Sequence, residues 1–160
     1  MGTVEERLMA LESEVAELRG KDAVRRVLSR YAVGVDSKRP GILRELFDEE
    51  AVLTIPNWNI KARGRDAVMA FFDDYWGRFD NPRRYYANED ISVQGIHAEA
   101  FMYWHVTQSR DDDSVLGWGS YEWAFKHIED RWLITKEVVH ILAMTTLAGG
   151  WAKDKGLSSL

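Results

Sequence analysis

The amino-acid sequence predicts an α+β fold: N-terminal helices packed on a curved, mostly antiparallel sheet, forming a cone-shaped α+β barrel that encloses a pocket. Three observations carry this prediction. Apolar residues recur at helical spacing over the first half of the chain and not over the second. The second half reads instead as four long strands joined by hairpin-like turns, and helices followed by a strand meander is an α+β order. Seven Trp, six Tyr and six Phe among 160 residues supply the large flat side chains that fill a core or line a pocket.

The elements follow in order. Thr3-Val4-Glu5-Glu6 reads as a capping box. Val4, Leu8, Leu11, Val15 and Leu18 then form a narrow heptad-like stripe, about two repeats long, which packs on its own domain or on a neighbouring subunit. Gly20 is expected to end this leading helix (1–20), and Asp22 to cap a second one with Val24, Val27, Leu28 and Tyr31 on its buried face. Pro40 opens a third helix to Phe47. Ala51 to Pro56 reads as a strand, Asn57-Trp58-Asn59 as a loop, and Gly64-Arg65-Asp66 leads into a fourth helix with Val68, Phe71, Phe72, Tyr75 and Trp76 as its stripe. The long strands are expected over 84–93, 98–108, 115–128 and 131–144. One domain over 1–148 and a flexible C-terminal tail over 149–160 complete the outline.

Composition removes several function classes. With no Cys there is no disulfide, thiolate nucleophile or Cys-based metal site. A net charge of -5 lacks the basic footprint of a nucleic-acid binder. No apolar run approaches a membrane span, and Met1 leads straight into an acidic helix-like segment, so a cytoplasmic location is expected. The four His form no ligand pair, and Asp111-Asp112-Asp113 reads as a solvated turn, so neither a metal nor a cofactor is expected. Phosphate-binding, dinucleotide-binding and serine-hydrolase motifs are absent.

Acid–base chemistry remains. Asp36 ends an amphipathic helix beside Val33 and Val35. It either caps the next helix or, as a carboxylate against apolar walls, serves as a base or acid. Tyr31 is either core or a hydroxyl at a site. His140, in a strand with few polar residues, is either a structural hydrogen-bonding group or an imidazole of a site. Arg84 begins a strand after a turn, where an Arg is ordinarily solvated.

Five groups of residues then come in a telling order: the leading helix Glu5 to Glu12; Tyr31-Ala32-Val33-Gly34-Val35-Asp36 followed by Leu46 to Val52; Gly64-Arg65-Asp66-Ala67-Val68 with Phe71-Phe72; Asn88 with Ile91-Ser92-Val93 and Ala98; and Tyr121-Glu122-Trp123 leading to Asp130-Arg131-Trp132. In this order the chain resembles the SnoaL-like branch of the nuclear-transport-factor-2-like superfamily over roughly Glu5 to Met144. Members it resembles include scytalone dehydratase, hexachlorocyclohexane dehydrochlorinase and bile-acid 7α-dehydratase. The resemblance implies a cofactor-free lyase, a small-molecule substrate and a homo-oligomer, trimer or dimer. Tyr31 and Asp36 match the Tyr and catalytic Asp of the bile-acid pattern. The place of the usual catalytic His holds Arg84, and the place of a last-strand Arg holds His140.

The expected mechanism pairs Asp36 with His140 as an acid–base dyad. Arg84 holds a developing oxyanion, and Tyr31 donates to the leaving oxygen. Trp58, Tyr121, Trp104 and Trp118 stack a flat substrate, with Asn88 among the binding residues. The substrate is a small hydroxylated aromatic or polycyclic compound that loses water, or loses a small aldehyde such as formaldehyde by retro-aldol cleavage. An isomerase or cyclase in the same pocket and a non-enzymatic small-molecule-binding module are the alternatives.

Overall fold

The computed structural model describes residues 3–151. Helix α1 runs over Val4–Asp36 and α2 over Pro40–Leu46; β1 spans Phe47–Ile55, and a single 3-10 turn at Pro56–Trp58 leads to β2 at Ile60–Arg63. Helix α3 spans Arg65–Arg78, and four long strands follow: β3 Asp80–Gln94, β4 His97–Arg110, β5 Asp113–Ile128 and β6 Arg131–Thr146. Among the described residues, no helix is long and apolar enough to cross a membrane. The expected tail begins inside this range. Gly150 O accepts from the Thr145 hydroxyl at 2.8 Å, and Trp151 meets Trp118 edge-on at 5.6 Å; residues 152–160 lie outside the described residues.

The helical N-terminus is capped as the sequence predicts. The Thr3 hydroxyl accepts from the Glu6 N–H at 3.2 Å, and the Glu6 carboxylate accepts from the Thr3 N–H at 2.7 Å. Gly20, however, does not end the helix: α1 is continuous through it. One helical Gly costs only ~1 kcal/mol relative to Ala, and the Lys21–Glu17 pair at 2.6 Å spans the site. Here the missing side chain lets α1 approach the sheet, since a Cβ on residue 20 would lie 3.0 Å from Val93 Cγ1 on β3. Gly34 has the same use at the other end. A Cβ there would sit 2.8 Å from Leu43 Cδ2 and 3.2 Å from Ile42 Cγ2, both on α2. Overpacking of this kind costs ~1–3 kcal/mol, against ~1 kcal/mol of helix propensity gained. Gly34→Ala is therefore expected to lower stability by about 1 kcal/mol in urea unfolding; an unchanged midpoint would mean that α2 shifts freely.

The six strands form one curved, unclosed sheet in the order β2-β1-β6-β5-β4-β3. Four of the five pairings are antiparallel; β1 and β6 run parallel. The curvature has identifiable causes, because bulges insert extra residues at 88–89 of β3 and at 135 and 142 of β6. The helices cover the concave face. Tyr31 of α1 lies at the centre of the contact, its ring edge-on to Phe47, Phe72, Tyr121 and Trp123 at centroid distances of 4.9–6.4 Å.

Candidate active site

Between the helices and the concave sheet face lies a cavity with about 50 Å³ of free space. Its walls are mostly apolar and aromatic: Trp58, Phe71, Tyr75, Trp104 and Tyr121, with Ile55, Val106, Val139, Ile141 and Met144 between them. Four polar side chains join them, Tyr31, Arg84, Gln108 and Glu137.

Among the described residues lining the cavity, Arg84 brings the only positive charge. Strand β3 alternates, so Arg84 and Tyr86 turn inward while Arg83 and Tyr85 turn out. Asp36, the last residue of α1, meets Arg84 twice: Oδ1 accepts from Nε at 2.7 Å, and Oδ2 accepts from the Arg84 backbone N–H at 2.9 Å. Both side chains are largely shielded, 7% exposed for Arg84 and 13% for Asp36. With Nε committed to Asp36, the other two nitrogens reach into a tyrosine cluster. Nη2 donates to the Tyr75 hydroxyl at 3.2 Å and Nη1 lies 3.5 Å from the Tyr121 hydroxyl. The guanidinium also sits over the Tyr75 and Tyr31 rings, 5.8 and 6.0 Å from their centroids. Tyr75 in turn donates to Gln108 Oε1.

Glu137 is the group that sequence reasoning missed. It sits on β6 with no exposed surface. The Tyr31 hydroxyl donates to its Oε1 at 2.6 Å, while Oε2 has no protein partner among the described residues. Burial pushes its carboxyl up to about 8, with the Tyr31 hydrogen bond and the Arg84 charge opposing that rise. Burial also raises the hydroxyls of Tyr31, Tyr75 and Tyr121, which keeps them protonated and available as donors. Since Asp36 neutralises Arg84, Glu137 sets the net charge of the site.

The structure thus brings five predicted residues to the cavity wall (Tyr31, Arg84, Trp58, Tyr121 and Trp104) and fastens Asp36 to one of them. It does not bring the other three. His140 lies on the opposite face of β6, 39% exposed, with Nε2 2.9 Å from Glu122 Oε1, so the expected Asp36–His140 dyad does not form. The reason is the extra residue at Thr135. Counting inward positions by twos from Ile134 gives 136, 138 and 140, but the bulge shifts them to Glu137, Val139 and Ile141. Trp118 likewise faces away from the cavity, where it meets Trp151. Asn88 is exposed in the β3 bulge with φ 57° and serves to bend the strand.

Helices lying across a curved, unclosed sheet, with a buried polar cluster at the bottom of an aromatic cavity, define a class of small pocket-bearing α+β proteins. The chain belongs to the family described as the SnoaL-like domain, whose model matches residues 16–137. Solved structures share the fold. A hexachlorocyclohexane dehydrochlorinase, LinA type 2, is 18% identical with a TM-score of 0.76, covering 83% of this chain and 92% of that one. A candidate scytalone dehydratase from Novosphingobium aromaticivorans is 20% identical with a TM-score of 0.74, covering 80% and 87%. A candidate aromatic ring hydroxylase from the same organism is 18% identical with a TM-score of 0.75, covering 82% and 96%. No curated protein sequence is significantly similar to the chain.

Proposed function

We propose that this protein is a cofactor-free lyase acting on a small hydroxylated aromatic compound, with Glu137 as its proton shuttle and Arg84 as its oxyanion holder. The observation that carries this reading is the presence in one aromatic-lined cavity of a buried carboxyl, half of it unpartnered, and a guanidinium whose charge is already balanced. Fold relatives named as a dehydrochlorinase and a candidate scytalone dehydratase support an elimination. The free space of about 50 Å³ between aromatic walls supports a small substrate over a polycycle.

The chemistry follows from these groups. A carboxyl with a pKa of about 8 populates both of its forms near neutrality, which suits a group that must take and return one proton. Ionised Glu137 takes the proton from the carbon beside a carbonyl, or from the hydroxyl of a phenol. Arg84, backed by the Tyr75 and Tyr121 hydroxyls, stabilises the resulting enolate or phenolate oxygen. Collapse of that anion expels the neighbouring hydroxyl, which leaves as water with the proton from Glu137. Tyr31, bonded to Oε1, fixes the carboxyl's orientation. The same shuttle performs a retro-aldol cleavage if the proton comes from the hydroxyl and returns to the carbon that sheds formaldehyde.

The test is a panel of β-hydroxy ketones and hydroxybenzyl alcohols, with products read by mass. Loss of one water or one formaldehyde, with kcat/KM rising up to about pH 8, is the expected result. Glu137→Gln should lower kcat by ~10²–10⁴-fold, the ordinary worth of a general acid–base group. Full turnover in that variant would sink the mechanism, and product of unchanged mass would assign an isomerase instead. A binding module is the second reading, favoured by the ion pair that stands where a carboxylate–imidazole dyad was expected. It predicts binding without turnover, and a ligand affinity that Asp36→Asn leaves unchanged.

A further inference from the structure

The first five turns of α1 project from the fold with their apolar stripe uncovered. Val4, Leu8, Leu11, Val15 and Leu18 are 81, 54, 57, 43 and 57% exposed. The sheet covers α1 only from Gly20 onward, where Val93 meets it, so the stripe does not pack on its own domain. Residues 3–15 also precede the SnoaL-like match. We propose that this segment is a parallel two-stranded coiled coil with a second copy of the chain.

The spacing of four and three fixes the register: Val4, Leu11 and Leu18 take the d positions, Leu8 and Val15 the a positions. The stripe is only an a/d seam wide, the geometry of a helix pair rather than of a helix lying on a broad surface. The flanking charges choose both the partner and the direction. Arg7 and Glu14 fall at g, Glu12 and Arg19 at e. In a parallel pair each g residue faces the e position five residues on in the other chain. Arg7 then meets Glu12 of the second copy, and Glu14 meets Arg19, on both sides of the seam. Among the described residues none of these four has an ion-pair partner in its own chain, whereas Glu17 and Lys21, outside the e and g positions or beyond the stripe, pair with each other. Either antiparallel register places Glu12 against Glu12 or Glu5 of the second copy, a like-charge contact. Val15 at one a position, with Leu11 and Leu18 at d, follows the two-stranded pattern; Leu8 at the other a position does not.

Length is the objection to so short a coiled coil. Val4 to Arg19 spans about 24 Å at 1.5 Å per residue, little more than two heptads. Isolated helices of that size are marginal because nucleation is unfavourable. Here nucleation is already provided for: residues 24–35 are held on the sheet and the capping box closes the other end. Association has only to cover the seam.

The experiment uses the full chain. Light scattering should give twice the 18.5 kDa protomer mass. Because the chain has no Cys, Val4→Cys gives a single thiol, and mild oxidation should link two chains at that position. Only a parallel pair brings the two Val4 positions together. Leu11→Glu, an exposed change that the protomer tolerates, should abolish the cross-link in the Val4→Cys background. It should also raise the dimer dissociation constant about a hundredfold or more, because two carboxylates would be buried at the seam. Arg7→Glu should weaken the dimer and its combination with Glu12→Arg restore it. A monomer at tens of micromolar, no cross-link at Val4→Cys, or a mass unaffected by Leu11→Glu would each overturn the proposal. So would a three-chain mass that Leu11→Glu dissociates.

Discussion

Asp36→Ala is expected to destabilise the fold by about 3–5 kcal/mol, the usual cost of removing one partner of a buried ion pair. Arg84 has its Nε and its own backbone N–H bonded to the Asp36 carboxylate. Its remaining contacts are neutral hydroxyls and ring faces, which cannot replace a counter-charge at 7% exposure. Asp36→Asn keeps one acceptor oxygen and should lose less. Asp36→Ala combined with Arg84→Met should recover most of the stability, since neither charge is then stranded. Urea unfolding of the four proteins measures the coupling. If the double variant is as unstable as the sum of the two single ones, the pair contributes nothing beyond its separate parts.

Asp36 and Arg84 were legible in the sequence because each sits where local pattern and chain turn coincide. One closes an amphipathic helix; the other follows Asn81-Pro82, where the sequence reading began a strand that in the structure already starts at Asp80. Their meeting was not legible, because it depends on how far α1 lies across β3. Glu137 and His140 show the limit more sharply. Strand alternation is a reliable guide only while no residue is added, and Thr135 is an added residue that nothing in Ile134-Thr135-Lys136 announces. A single-residue shift exchanged the inward imidazole for an inward carboxylate. Gly20 is the converse case. A local rule read it as a stop, but its missing side chain serves the contact with Val93. The hairpin strand β2, four residues long, and the parallel β1–β6 pairing carried no sequence signal of their own. The capping box, the order of helices before strands and the aromatic walls of the cavity depend on local composition and spacing, and these could be read directly.

Glu137→Gln is expected to change the pH dependence of stability as much as it changes turnover. The folded chain holds the Glu137 proton up to about pH 8, whereas in the unfolded chain the same carboxyl titrates near its ordinary value of 4.5. Between those values the folded state binds the extra proton, so this group's contribution falls as pH rises. The contribution is complete below about pH 4.5 and gone above about pH 8. A gap of about 3.5 in pKa corresponds to up to about 5 kcal/mol. Gln keeps the acceptor for the Tyr31 hydroxyl and is neutral at every pH, so the variant should lack this slope. Other titrating groups are common to both proteins and cancel in the difference between their unfolding free energies. That difference should be small at pH 4.5, grow steadily in favour of the variant to pH 8, and be level beyond it. A constant difference across the range would mean that Glu137 is ionised in the folded protein at neutral pH. The rise of kcat/KM toward pH 8 would then have to come from another group.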